Sequence, residues 1–242
     1  MDNSLPRLEV CLSPALLHLY DTKDTVVVII DVFRATSTIA AALHNGAKEV
    51  IPVASVQECI DLGKEIPYSV TAGERDGRVA AGLQYGNSPS EYPRNFIENK
   101  TLVLTTTNGT RLLHMVKDAA EIITGSFLNL SAVCEFLVAQ KKNVLLGCAA
   151  WKDRFNLEDT LFAGAVVDRI GEQFEINCDS ARAAGHLYNS SKGDSVIAFL
   201  KNSSHYKRLS AYGLQGDMEY CATPDLHPVV PILKERALVI HK

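Results

Sequence analysis

Asp31 and Arg34 follow directly on Val26-Val27-Val28-Ile29-Ile30, and Thr36, Ser37 and Thr38 come next, ahead of Ile39-Ala40-Ala41-Ala42-Leu43. The β-branched run predicts a strand buried on both faces, and the small apolar residues after the hydroxyls predict a helix. An acid, an arginine and hydroxyls at such a strand-to-helix turn stand where open α/β sheets hold ligands. The helix start adds unpaired N–H groups and a positive dipole end, which attract an anion. Arg34 adds a forked donor. Asp31 in the same turn repels an anion unless a cation stands between them, so the set predicts a metal-assisted site for a phosphate or a sulfonate. The bland alternative is a helix cap with Asp31 paired to Arg34.

Further stretches carry similar chemistry. Glu74 and Arg75 end an apolar start at Val70, where the acid suits a metal and the base an anion; alone they read first as an exposed turn with a surface ion pair. Asn87 and Ser88 stand before Pro89 and Glu91 in the spacing of a capped helix entry, with ligand contact as an extra role. In Thr101–Thr110 a strand runs into Thr105-Thr106-Thr107-Asn108-Gly109-Thr110. The threonines and Asn108 are neutral donors of the kind a phosphate cradle needs, and Gly109 lets backbone approach a ligand closely. The helical pattern of Leu112, Leu113 and Val116 disfavours a hairpin at Asn108-Gly109. Cys148 ends a third such strand, Asn143–Cys148, but lacks a glycine-rich loop toward Arg154 and reads first as a small buried residue. Glu158 and Asp159 enter the next helix side by side, so at most one is expected to reach the site. His205-Tyr206-Lys207-Arg208-Leu209 could pack over a site as a small cap, although His186, His205 and His227 have no metal-ligand spacing.

The elements that position these residues form an alternating α/β pattern. A turn at Asn45-Gly46, an Ser55/Glu58 capping box and strands at Glu49–Ala54 and Asn143–Cys148 punctuate it, with Pro52 favouring a sheet edge. The segments of about 26–65 and 102–140 share one layout: strand, hydroxyl-rich turn, helix, short acid-containing strand, Ser-started helix. That predicts an internal duplication of a strand–helix–strand–helix unit and places Asp31 and Asn108 on the same edge of one sheet. The expected fold class is a layered α/β/α arrangement with a mixed sheet, in a single domain over 1–242. The chain of 242 residues is 47% hydrophobic and 21% charged with net charge −4, which gives no basic field for nucleic acid. No apolar run approaches the roughly 20 residues that span a bilayer. Six scattered cysteines without a CxxC pair, and a polar N-terminus, point to a reducing cytoplasm. A homo-oligomer such as a dimer stays open.

DVFRATST, AGER, GNSP, TTTNGT, GSFLN, GCAA and LEDTLFAGA, in this order and spacing, resemble the 2-phosphosulfolactate phosphatase family (ComB) from about Val26 to Ala165. Leu83 and Asp76 depart from that pattern without removing a charged residue. The resemblance implies a family-specific α/β fold and a magnesium-dependent phosphatase. Its reaction converts 2-phospho-3-sulfolactate to 3-sulfolactate and phosphate, a step of coenzyme M synthesis in methanogens. Such a small anionic phosphorylated substrate suits Arg34 and Arg75 as charges, Thr36, Ser37, Asn87, Ser88, Thr107, Gly109, Thr110 and Cys148 as contacts, and Asn108 beside them. Asp31, Glu74 and one of Glu158 or Asp159 are the candidate Mg2+ ligands, because magnesium prefers oxygen. Attack by water is preferred to an Asp31 aspartyl-phosphate, since a haloacid-dehalogenase-like second aspartate would fall at Phe33. A non-catalytic binder of an anionic metabolite is the other class.

Overall fold

β-Branched and small residues build the centre, and the polar loops lie around it. The computed structural model describes residues 4–193 and 195–242, with the side chains of all but Thr110 and His114. In chain order the elements are β1 (Leu8–Cys11), β2 (Thr25–Ile30), α1 (Ala35–His44), β3 (Glu49–Pro52), α2 (Val56–Glu65), β4 (Ser69–Arg75), β5 (Arg78–Val79), α3 (Arg94–Ile97), β6 (Thr101–Thr105) and α4 (Gly109–Met115). There follow β7 (Glu121–Gly125), α5 (Leu130–Gln140), β8 (Asn143–Cys148), α6 (Leu157–Ile170), α7 (Asp179–Ser191), α8 (Val196–Leu200), α9 (Ser204–Ser210), α10 (Gln215–Cys221), β9 (Pro231–Lys234) and β10 (Ala237–Ile240).

Among the described residues the strands join in one mixed sheet, ordered β1-β8-β2-β7-β9-β10-β3-β6-β4-β5, with helices packed on it. All six residues of β2 are buried between parallel neighbours β7 and β8, as a continuous β-branched run requires. Each fully buried Val or Ile there contributes roughly 1.5–3 kcal/mol. Nine of the ten residues of α1 are buried, so this helix is surrounded on every side. Its alanines, serine and threonines keep it narrow enough for that.

The segments expected to repeat interleave in the sheet: β2 pairs with β7, and β6 pairs with β3, all in parallel. The two strand ends do not share one sheet edge, however. Three antiparallel pairings, β7–β9, β9–β10 and β10–β3, separate the halves, so β2 and β6 run in opposite senses through the ladder. The β7–β9 and β10–β3 links are a single residue pair each, Ile123–Ile232 and Leu238–Val50. Val27 and Ile29 of one half share a core with Val50, Val70, Leu102 and Leu104 of the other and with Ile39 and Leu43 of α1. The right-handed twist of the strands carries the halves around this shared core and brings the two strand ends together. Strand β3 is internal rather than at an edge; Pro52 is tolerated because the β10 contact is confined to Val50.

Candidate active site

Beyond β2 the chain turns through Asp31-Val32-Phe33-Arg34 into α1, and beyond β6 it turns through Thr106–Asn108 into α4. These turns meet. A Cβ added at Gly109 would lie 2.9 Å from Asp31 Oδ2 and 3.2 Å from the Ala35 Cβ, so only glycine lets α4 start against Asp31. A cleft opens there, lined by Asp31, Phe33, Arg34, Glu74, Asp76, Gly77, Asn87, Thr107, Asn108, Trp151, His205, Arg208 and Leu209.

Asp31 is buried, and its carboxyl is pushed up to about 7, first by burial and then by the nearby Glu74 and Glu158, against a lowering by His205. Arg34, 4% exposed, lines the same cleft. It donates to Asp217 of α10, and its Nη2 donates to the Gly77 carbonyl at 3.1 Å. Glu74 spends both oxygens locally: Oε1 accepts from the Thr107 N–H and hydroxyl at 2.8 Å each, and Oε2 from the Gly77 N–H at 2.9 Å. It is a clamp that fixes the β6 loop to the β4 turn. Gly73 makes that approach feasible, because a Cβ there would meet the Thr105 carbonyl at 2.3 Å.

Several expected residues lie elsewhere. Arg75 turns away from the cleft, donating to the Glu74 carbonyl at 2.6 Å and to Thr105 Oγ1 at 3.2 Å. Thr36 and Ser37 are buried and serve the turn itself: Thr36 Oγ1 accepts from the Asp31 N–H, and Ser37 donates to the Val32 carbonyl. Ser88 donates to Asp217 Oδ1 at 2.7 Å and lines a neighbouring groove behind the Arg34–Asn87 wall. Cys148 is fully buried, outside the residues that line the cleft, and burial raises its thiol well above the usual range. Thr110 lies outside the described side chains.

The adjacent acids of α6 do point apart, as helix geometry demands. Asp159 accepts from the Val32 N–H at 2.9 Å and the Ala150 N–H at 3.2 Å, bracing the ends of β2 and β8 against each other. Each of its two oxygens accepts one backbone N–H. Glu158, wholly buried, pairs through Oε1 with Nδ1 of His205, while its Oε2 has no hydrogen-bond partner. The segment read as a cap does line the cleft: α9 supplies His205, Arg208 and Leu209, and α10 supplies the Asp217 that holds Arg34. Sequence reasoning missed Arg208, Asp217 and Trp151 as site residues. Only the i, i+3 spacing of His205 and Arg208 on one helix face hinted at two of the cap's contributions.

Among the described residues, no three His, Cys, Asp or Glu side chains converge as a ready-made chelate. The oxygens still fit magnesium, which needs only one or two carboxylates and completes its shell with waters and phosphate oxygens. Asp31 lines the cleft, and so does Asn87, whose buried Oδ1 has no partner.

A protein-family profile described as 2-phosphosulpholactate phosphatase matches residues 11–236. The chain belongs to that family. Its relatives include three proteins each named "Probable 2-phosphosulfolactate phosphatase". The one from Thermotoga petrophila is 45% identical over 213 residues, which cover 88% of this chain and 91% of the relative. That from Caldanaerobacter subterraneus subsp. tengcongensis is 38% identical over 216 residues, 88% and 90% of the two chains. That from Clostridium perfringens is 34% identical over 229 residues, 93% and 92% of the two chains. The family match runs through the cap, so α9 and α10 belong to the same family domain as β2 and β6.

Proposed function

We propose that the chain is a magnesium-dependent phosphatase of the cytoplasm that hydrolyses 2-phospho-3-sulfolactate to 3-sulfolactate and phosphate. The observation that carries this reading is the buried Asp31 at the mouth of β2, in a cleft that also holds Arg34, Asn108, His205 and Arg208. The family and the names of its relatives supply the substrate.

Asp31 and the Asn87 carbonyl oxygen are the residues that would hold magnesium, with Glu158 set behind them. When bound, the ion supplies neutralisation of phosphoryl charge. The chain's own residues do the rest. Asn108, on the cleft, faces the phosphoryl group as a donor, and Arg34, tethered to Asp217 and Gly77, contributes its positive charge. His205, with Nδ1 tied to Glu158, keeps Nε2 as the other ring nitrogen on the cleft it lines, and there takes a proton from the attacking water. As the water oxygen bonds to phosphorus, the P–O bond to the lactate carbon skeleton breaks, and the leaving oxygen takes up a proton as alcohol, balancing the one passed from the water to His205. Positioning and charge stabilisation carry most of the rate in such transfers.

The test is phosphate release from racemic 2-phosphosulfolactate, with magnesium and after its chelation, beside phospholactate and p-nitrophenyl phosphate. Magnesium-dependent release that is strongest with the sulfonated substrate is expected. No release from any of the three would sink the assignment and favour a binding protein for an anionic metabolite.

A further inference from the structure

We infer that Arg208 is the receptor for one of the two acid groups that the substrate carries beside its phosphate, the sulfonate rather than the carboxylate, and that Trp151 holds its guanidinium in place for it. This rests on the phosphatase reading above and names the residue that sets its specificity.

The inference follows from an accounting of positive charge. Among the described residues, the guanidinium groups on the cleft are those of Arg34 and Arg208. Arg34 is already engaged by the Asp217 carboxylate and the Gly77 carbonyl. Arg75 faces away, and Arg111 is paired with Asp153 at 2.9 Å on the exposed side. Arg208 has no carboxylate within ion-pairing distance among the described residues. Its guanidinium instead lies over the Trp151 ring, 3.9 Å from the centroid.

Stacking uses the face of the guanidinium plane and leaves the N–H donors along its edge free. A planar fork with open donors matches two oxygens of a tetrahedral or planar acid group. Trp151 is itself fixed: the loop after β8 closes on itself through Trp151 N–H to the Arg154 carbonyl at 2.9 Å and the reverse bond at 3.0 Å. Partial burial disfavours the Arg208 charge, while Glu158, Asp76 and Glu74 stabilise it only from a distance. A ligand acid group would supply the missing partner. Asp31, Asn108 and Thr107 sit at the strand ends, while Arg208 comes from α9 of the cap, so one molecule with a phosphate and a further acid group can meet both walls.

The test uses the chain's single tryptophan, Trp151, as reporter. Wild type, Arg208→Gln and Arg208→Lys, each checked for an unchanged thermal midpoint, are titrated with racemic 3-sulfolactate and with lactate while Trp151 emission is followed. The expected result is a saturable signal with sulfolactate and none with lactate, a weakening of about 10- to 100-fold in Arg208→Gln, and an intermediate value in Arg208→Lys. In turnover, Arg208→Gln raises KM for phosphosulfolactate by a similar factor with kcat nearly kept, and leaves KM for phospholactate almost unmoved. Unaltered sulfolactate binding in Arg208→Gln overturns the inference. So does an equal loss with both phosphorylated substrates, or a loss of kcat at constant KM, either of which places Arg208 on the phosphoryl group. If the wild type hydrolyses neither ester, the phosphatase reading fails, and the sulfolactate titration still decides the role of Arg208.

Discussion

Asp31 shows at the residue scale why burial and chemistry go together. Its folded-state carboxyl is pushed up to about 7 from an ordinary 3.8, chiefly by burial. The folded protein therefore binds a proton more tightly than the unfolded chain does. The stabilisation that comes with that proton is present below about pH 4 and is lost as pH rises toward 7. In magnesium-free buffer at pH 8, Asp31→Asn is expected to be more stable than wild type by roughly 1–3 kcal/mol, a gain that fades by about pH 4. Urea unfolding at both pH values checks this, and the same variant is expected to release almost no phosphate. Gly109 makes a companion prediction. Gly109→Ala pushes a methyl against the Asp31 carboxylate and should cut kcat by about tenfold or more, since small displacements of reacting groups are costly. A variant with full kcat would show that α4 can retreat without consequence.

At the scale of elements, the site depends on braces between strand ends. Asp159 satisfies two buried backbone N–H groups, one after β2 and one after β8. Asp159→Ala leaves both without acceptors and should destabilise the fold by about 2–4 kcal/mol. The denaturant midpoint measures it; a shift under about 0.5 kcal/mol would mean that the loops find other partners. Glu74 braces in the same way between the β4 turn and the Thr107 loop. Both acids look like metal ligands when only residue type and spacing are considered. Contacts that close over more than thirty residues of chain give them structural work as well.

For the whole molecule, the decisive feature is the seating of a C-terminal helical cap on two strand ends from opposite halves of the sheet. Asp217 is one polar tether, touching Arg34 and Ser88, and His205 on Glu158 is another. Asp217→Ala is expected to raise KM and to speed amide exchange across residues 204–221 while β2 and β8 stay protected; uniform protection would show that the cap is held by its other contacts, His205 on Glu158 and the buried Tyr206, Leu209, Met218 and Cys221. The sequence by itself determined the alternation of strands and helices, the buried β2, the Asp31 and Asn108 turns, and the Ser88–Glu91 capping box, because each depends on neighbours a few residues away. It also contained the motifs that resemble the family. Tertiary structure alone decided the reversal of direction between β2 and β6, and the division of Glu74, Asp159, Glu158 and Asp31 into braces, an orienting partner and a cleft acid. It also decided the arrival of Arg208 and Trp151 in one cleft. Hydrogen bonds and charge pairing between distant segments set these outcomes, and local pattern carries no record of which distant group will be the partner.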